Sequence, residues 1–120
     1  MSILIKNGRI ITAADDYIAD IFIENEKIVA IGKNLSNTAD QTIDASNKLV
    51  FPGGIDPHVH LDMPFMGTYS SDNYETGTRA ALFGGTTMVI DFILQTQGKS
   101  LHNALNEWKG RSDGNAVGDY

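Results

Sequence analysis

The chain has no cysteine in its 120 residues. That excludes a disulfide framework and thiolate metal ligands, and leaves any metal site to histidine, carboxylates and water. A reducing cytoplasm fits this composition and is the expected compartment. Basic residues are scarce, 9 Lys plus Arg against 15 Asp plus Glu for a net charge of −6. No basic stripe with interleaved aromatics occurs, so neither nucleic acid nor an anionic membrane is an expected partner, and the acidity reads as plain solubility. Long hydrophobic runs are missing as well. Ile3, Leu4 and Ile5 are followed at once by Lys6, too short a run for a secretion signal, and no other run approaches a membrane span. The 3 Pro and 12 Gly are too few and too scattered for low complexity, and a hydrophobic content of 42% suffices for one modest core.

What is there divides in two. From Met1 to about Phe51 the pattern is short strands and turns, expected to form a small antiparallel sheet. Ile3–Ile5 is expected to meet Arg9–Thr12 across Asn7-Gly8, because both turn residues tolerate positive φ. Ile21–Ile23 and Ile28–Ile31 flank Glu24-Asn25-Glu26-Lys27 as a second hairpin, and Thr42–Asp44 with Lys48–Phe51 reads as a third.

After Phe51 strands alternate with helices. Gly54–Leu61 is the first strand and 63–71 a loop. Asp72 and Glu75 resemble a capping box for a helix through Phe83, and Gly84-Gly85 ends it. Thr86–Phe92 is β-branched and apolar, as a strand buried on both faces requires. Ser100 opens a second helix, in which Leu101, Ala104, Leu105 and Trp108 fall on one stripe and His102 off it, toward the surface. Alternating βα units imply a parallel sheet or barrel, so the fold class is α/β with a small β unit in front. The expected domains are 1–51 and 52–120. Two units cannot close a barrel of eight, so the expectation is the N-terminal part of a longer protein.

The chemistry lies in Pro52-Gly53-Gly54-Ile55-Asp56-Pro57-His58-Val59-His60-Leu61-Asp62. Side chains at i and i+2 of a strand share a face, so His58 and His60 can converge on one cation while Val59 turns to the apolar side. The Met63-Pro64 break ends the strand just beyond, and ligands at the end of a strand are what a (β/α) barrel site requires. Asp56 reads as a structural residue at the strand start, Asp91 either lines the site or caps a loop amide, and neither is counted among the site residues; no Gly-x-Gly-x-x-Gly pattern opens a helix.

These residues, with Ile5-Lys6-Asn7-Gly8-Arg9, His60-Leu61-Asp62-Met63-Pro64-Phe65, Phe83-Gly84-Gly85-Thr86-Thr87 and Ile90-Asp91-Phe92, resemble the amidohydrolase superfamily, and within it the dihydropyrimidinase and D-hydantoinase family. The resemblance covers the whole chain. It implies a β-sandwich beside a metal-dependent (β/α)8 barrel that opens cyclic ureides, dihydropyrimidines or 5-substituted hydantoins, to N-carbamoyl amino acids with a metal-activated hydroxide. It further implies two Zn2+ ions per full chain, with His58 and His60 as metal ligands and a carboxylated lysine beyond residue 120. Catalytic residues would also lie beyond Tyr120, and a homotetramer is implied. Met63 and Phe65, in the loop after His60, become the expected substrate gate.

Two relatives compete with this reading. Dihydroorotases and allantoinases usually carry Arg or Asn where this chain has Asp62, and a carboxylate there would repel an anionic ring. Collapsin response mediator proteins bind rather than catalyse and typically break the His-x-His pair, which this chain keeps. A third alternative, a complete small module, would leave strand faces around Met88–Ile90 uncovered.

Overall fold

The computed structural model describes residues 1–120, which divide into two compact units, Met1–Pro52 and Gly53–Tyr120. In the first, β1 (Ser2–Ile11), β2 (Asp16–Glu24), β3 (Lys27–Gly32), β4 (Gln41–Asp44) and β5 (Leu49–Val50) form one five-stranded sheet. It runs in the order β3-β2-β1-β4, with β5 also on β1. Ile10, Ala19 and Ile21 are buried together at its heart.

The expected hairpin at Asn7-Gly8 does not form. β1 is a single strand that pairs antiparallel with β2 along its length, and the register shifts between Ile5 and Gly8. Asn7 takes φ 62° and its backbone N–H donates to buried Asp20 Oδ1 at 2.8 Å, so the Asn-Gly pair makes a bulge, not a turn. A bulge and a tight turn call on the same left-handed residue, which is why the local signal misleads. The third expected hairpin fails too. β4 and β5 both run parallel to β1, at Ile3–Lys6 and at Arg9–Ile10, so the chain steps along one edge instead of folding back. The sheet is therefore mixed, not antiparallel. The second hairpin is as expected: β2 and β3 are joined by Asn25 (φ 49°) and Glu26 (φ 64°), the two left-handed residues of a type I′ turn.

In the second unit β6 (Gly54–Val59) is followed by a hairpin of β7 (Pro64–Phe65) and β8 (Thr68–Tyr69), then α1 (Tyr74–Phe83), β9 (Thr86–Asp91) and α2 (Leu101–Ser112). β6 and β9 pair in parallel, the βαβα arrangement expected from the sequence. The segment expected as a plain loop thus holds a hairpin, and the first strand ends at Val59, one residue before His60. α1 is capped by Asn73, one residue after the expected Asp72: the Asn73 side chain accepts from the Thr76 N–H at 2.9 Å and the Thr76 hydroxyl returns to the Asn73 backbone. α2 is capped by Ser100 as expected.

Leu61, Tyr74, Val89 and Trp108 form the core of this unit, with Val59 packed against them. Of the expected stripe on α2, Ala104 and Trp108 are buried while Leu101 and Leu105 are exposed. β9 is not buried on both faces: Val89 is, but Met88 and Ile90 are exposed. His102 is on the surface.

Candidate metal centre

The two histidines sit where β6 gives way to loop. Asp56 Oδ1 accepts from the His58 N–H at 3.1 Å, which shapes the strand around Pro57 and agrees with a structural part for Asp56. The imidazoles of His58 and His60 are exposed and stand nearly at right angles, 86° between planes, with their Nε2 atoms 3.2 Å apart. Val59 faces the other way, into the core.

That geometry suits one shared cation. With metal–nitrogen bonds of about 2.0–2.1 Å, nitrogens 3.2 Å apart subtend about 100° at the metal, close to the tetrahedral value. The donor chemistry suits zinc, since neutral imidazole is among its preferred ligands. No third His, Cys, Asp or Glu gathers with the pair, so these two residues are at most half of a tetrahedral set.

Phe92, at the end of β9, backs both rings, 4.4 Å from His58 and 5.3 Å from His60 between centroids. Sequence reasoning treated Phe92 only as the last strand residue. The available signal was its position at the end of a parallel strand, next to the strand that carries the histidines.

Behind His60 the backbone is tied down by Asp91. Its Oδ2 accepts from the Leu61 N–H at 3.2 Å and from the Tyr74 hydroxyl at 2.6 Å, and its Oδ1 accepts from the Phe92 N–H at 2.7 Å. One carboxylate thus joins the end of β6, the first turn of α1 and the end of β9. Burial and then the hydrogen bond to Asp91 push the Tyr74 hydroxyl well above its ordinary pKa, so it remains a donor.

Beside His60 opens a hollow of about 460 Å³, lined by Met63, Phe65, Thr68, Tyr69, Ser70 and Leu94 besides the histidine itself. It is mostly apolar and of a size that takes a small ring. Met63 is 7% exposed and belongs to its wall, whereas Phe65 is 63% exposed and stands at its open side. Asp62 has φ 47° and its carboxylate lies 3.7 Å from Arg111. Arg111 is shared with Glu107, 2.8 Å from Nη2, so it offsets only part of the negative charge and the local field still disfavours an anionic ring.

The comparisons with known proteins agree on one lineage. A D-hydantoinase of Geobacillus stearothermophilus is 53% identical over 120 residues, 100% of this chain and 26% of that protein. A dihydropyrimidinase of Rattus norvegicus is 41% identical over 123 residues, 98% of this chain and 24% of that protein. The crystal structure of dihydropyrimidinase from Brevibacillus agri NCHU1002 superposes with a TM-score of 0.97 at 53% identity, covering 100% of this chain and 26% of that one. The chain therefore spans about a quarter of the length of the relatives it matches. The Amidohydrolase family model matches residues 49–110, which begin just before the His58/His60 strand and end in α2. With that match over more than half its length, the chain belongs to the amidohydrolase family.

Proposed function

We propose that this chain is the opening segment of a zinc-dependent cyclic amidohydrolase that hydrolyses the ring amide of dihydropyrimidines or 5-substituted hydantoins to N-carbamoyl amino acids. The observation that carries the reading is the convergence of His58 and His60 at the end of a parallel strand, Nε2 atoms 3.2 Å apart, beside an apolar hollow. The relatives named D-hydantoinase and dihydropyrimidinase support the substrate class. In this reading residues 1–51 begin a β-sandwich domain and 52–120 a (β/α)8 barrel, in a chain of the relatives' length. Two zinc ions, a carboxylated lysine among their ligands, and a cytoplasmic homotetramer belong to the same reading.

His58 and His60 would hold one zinc through Nε2. Bound there, the ion would bring the pKa of a water near neutrality and polarise the ring carbonyl. The chain's own residues do the rest locally. Phe92 limits the tilt of both imidazoles and keeps water from one side of them. Asp91 fixes the backbone that carries His60. Met63 forms a wall, and Phe65 at the open side meets the exocyclic group of the ring.

The test is ring opening of dihydrouracil and hydantoin by the full-length, zinc-loaded protein and its His60→Ala variant. Turnover by the parent and a loss of roughly 10³-fold or more in the variant are expected, since the metal supplies several kcal/mol to the barrier. A folded, zinc-replete parent that opens neither ring would overturn the reading and leave a binding protein on the same scaffold.

A further inference from the structure

The hairpin over the hollow is too short to hold itself. β7 and β8 share two residue pairs, Pro64 with Tyr69 and Phe65 with Thr68, around a turn at Met66 and Gly67. A two-stranded hairpin of that size is at best marginal in water. Its neck is closed by the Asp62 N–H donating to the Asp72 carbonyl at 2.8 Å, and by Met63 and Ser70. The Ser70 N–H donates to the Met63 carbonyl, and the Met63 N–H to Ser70 Oγ, each at 2.9 Å. These bonds fix the base but not where the hairpin leans.

The remaining tie comes from α2, 49 positions along the chain. Arg111 Nη1 donates to the Asp62 carbonyl at 2.5 Å, and the same guanidinium lies 5.6 Å from the centre of the Tyr69 ring. One cation therefore touches the limb that leaves His60 and the limb that returns. It is fixed from behind by Trp108, 5.1 Å from the ring centre, and by Glu107, whose Oε1 accepts from Nη2 at 2.8 Å. The Arg111 side chain is 18% exposed, so these contacts are little weakened by solvent. A planar fork can bond a carbonyl and lie against two aromatic faces at once, whereas an ammonium cannot.

We propose that Arg111 is a positioning residue that latches the β7–β8 hairpin, and that the latch sets which ring substituents the hollow admits. The inference rests on the cyclic-ureide reading for its substrate, while the latch itself stands on the contacts. Met63, Phe65 and Tyr69 all line the hollow and all lie on the latched segment. Release of Arg111 lets Phe65 and Tyr69 swing away from His60 while the Met63–Ser70 base, His60, Phe92 and Asp91 keep their own contacts.

The experiment compares the full-length, zinc-loaded protein with Arg111→Met, Arg111→Lys and, as a control on the same helix, Lys109→Met. Two readouts are taken, amide hydrogen exchange across 54–91, and kcat/KM for 5-benzylhydantoin relative to unsubstituted hydantoin. In Arg111→Met the amides of 63–70 exchange roughly tenfold faster while those of β6 and α1 hold, as local opening requires. The substrate ratio moves by about threefold or more, the scale of a reshaped apolar pocket. Arg111→Lys behaves like Arg111→Met, and Lys109→Met like the parent. Should Arg111→Met not fold, Arg111→Lys carries the same comparison. Unchanged exchange in 63–70, or an equal rise throughout β6 and α1, overturns the latch. Faster exchange with an unmoved substrate ratio overturns its part in selectivity. A parent that binds zinc but opens no ring defeats the functional reading and the selectivity claim with it, whereas the exchange result still decides the latch.

Discussion

Asp91 offers the sharpest perturbation near the metal centre, because one side chain serves three donors from three elements. Replacing it by Ala removes the acceptor of the buried Tyr74 hydroxyl, in a residue 3% exposed, and of the Leu61 N–H. Each buried donor left unpaired costs about 1–3 kcal/mol, and the Phe92 N–H is near enough to solvent to find water, so Asp91→Ala should cost roughly 2–6 kcal/mol. Tyr74→Phe removes one donor and leaves the carboxylate with the Leu61 and Phe92 amides, so about 1–2 kcal/mol is expected. The consequence for the site is larger than for the fold. Leu61 follows His60 directly, and a shift of that backbone by ~1 Å opens the 3.2 Å Nε2 pair beyond a shared cation with ~2.05 Å bonds. The assay is zinc affinity by chelator competition together with denaturant unfolding. Asp91→Ala should lose zinc affinity by about tenfold or more, and Tyr74→Phe by less. An Asp91→Ala protein as stable as the parent, or one weaker in fold with zinc affinity intact, would refute the bracing argument.

Other consequences follow from single contacts. Asp20 is 2% exposed and accepts from the Asn7 and Leu35 N–H groups, with Lys6 Nζ 3.3 Å away. The Asn7 bond foremost, with those to Leu35 and Lys6, holds its pKa below the ordinary carboxylate value against the opposing effect of burial. A depressed folded pKa contributes stability that is present above the unfolded value near 4 and is lost as pH falls through the folded one. Acid unfolding of Asp20→Asn should accordingly show a shallower loss below about pH 4 than the parent, and an identical pH profile would contradict this. Two helix glycines should respond in opposite directions to alanine. A Cβ at Gly77 would overlap Leu61 Cδ2, and Leu61 is itself packed in the core, so Gly77→Ala should destabilise by about 1–3 kcal/mol despite better helix propensity. Gly110 has open space, so Gly110→Ala should stabilise by a few tenths to about 1 kcal/mol, and thermal melts of the pair check both signs.

The parts of the molecule legible in the sequence are those written in local periodicity and punctuation. The βαβα order, the Ser100 cap and the shared face of His58 and His60 all depend on neighbours within a few residues. Partner choice across the sheet does not. Asn7-Gly8 looks the same whether it turns the chain or bulges it, and Asp20, the acceptor that decides for the bulge, lies 13 positions away. Thr42–Asp44 and Leu49–Val50 carry no sign that both will pair with β1 in parallel. Around the candidate metal centre the two histidines were readable, but the contacts that hold them in place were not. Phe92 and Asp91 reach the site only because β9 lies beside β6. Arg111 reaches it only because α2 packs Trp108 into the same core as Leu61.

The most direct test of the central claim is a zinc count on the full-length protein, the His58→Ala and His60→Ala variants, and the double variant, all verified as folded. If the two imidazoles share one ion, each single variant loses the same zinc and the double variant loses no more. A single variant that keeps the full zinc content of the parent, or losses that add in the double variant, would contradict a shared ion at His58 and His60.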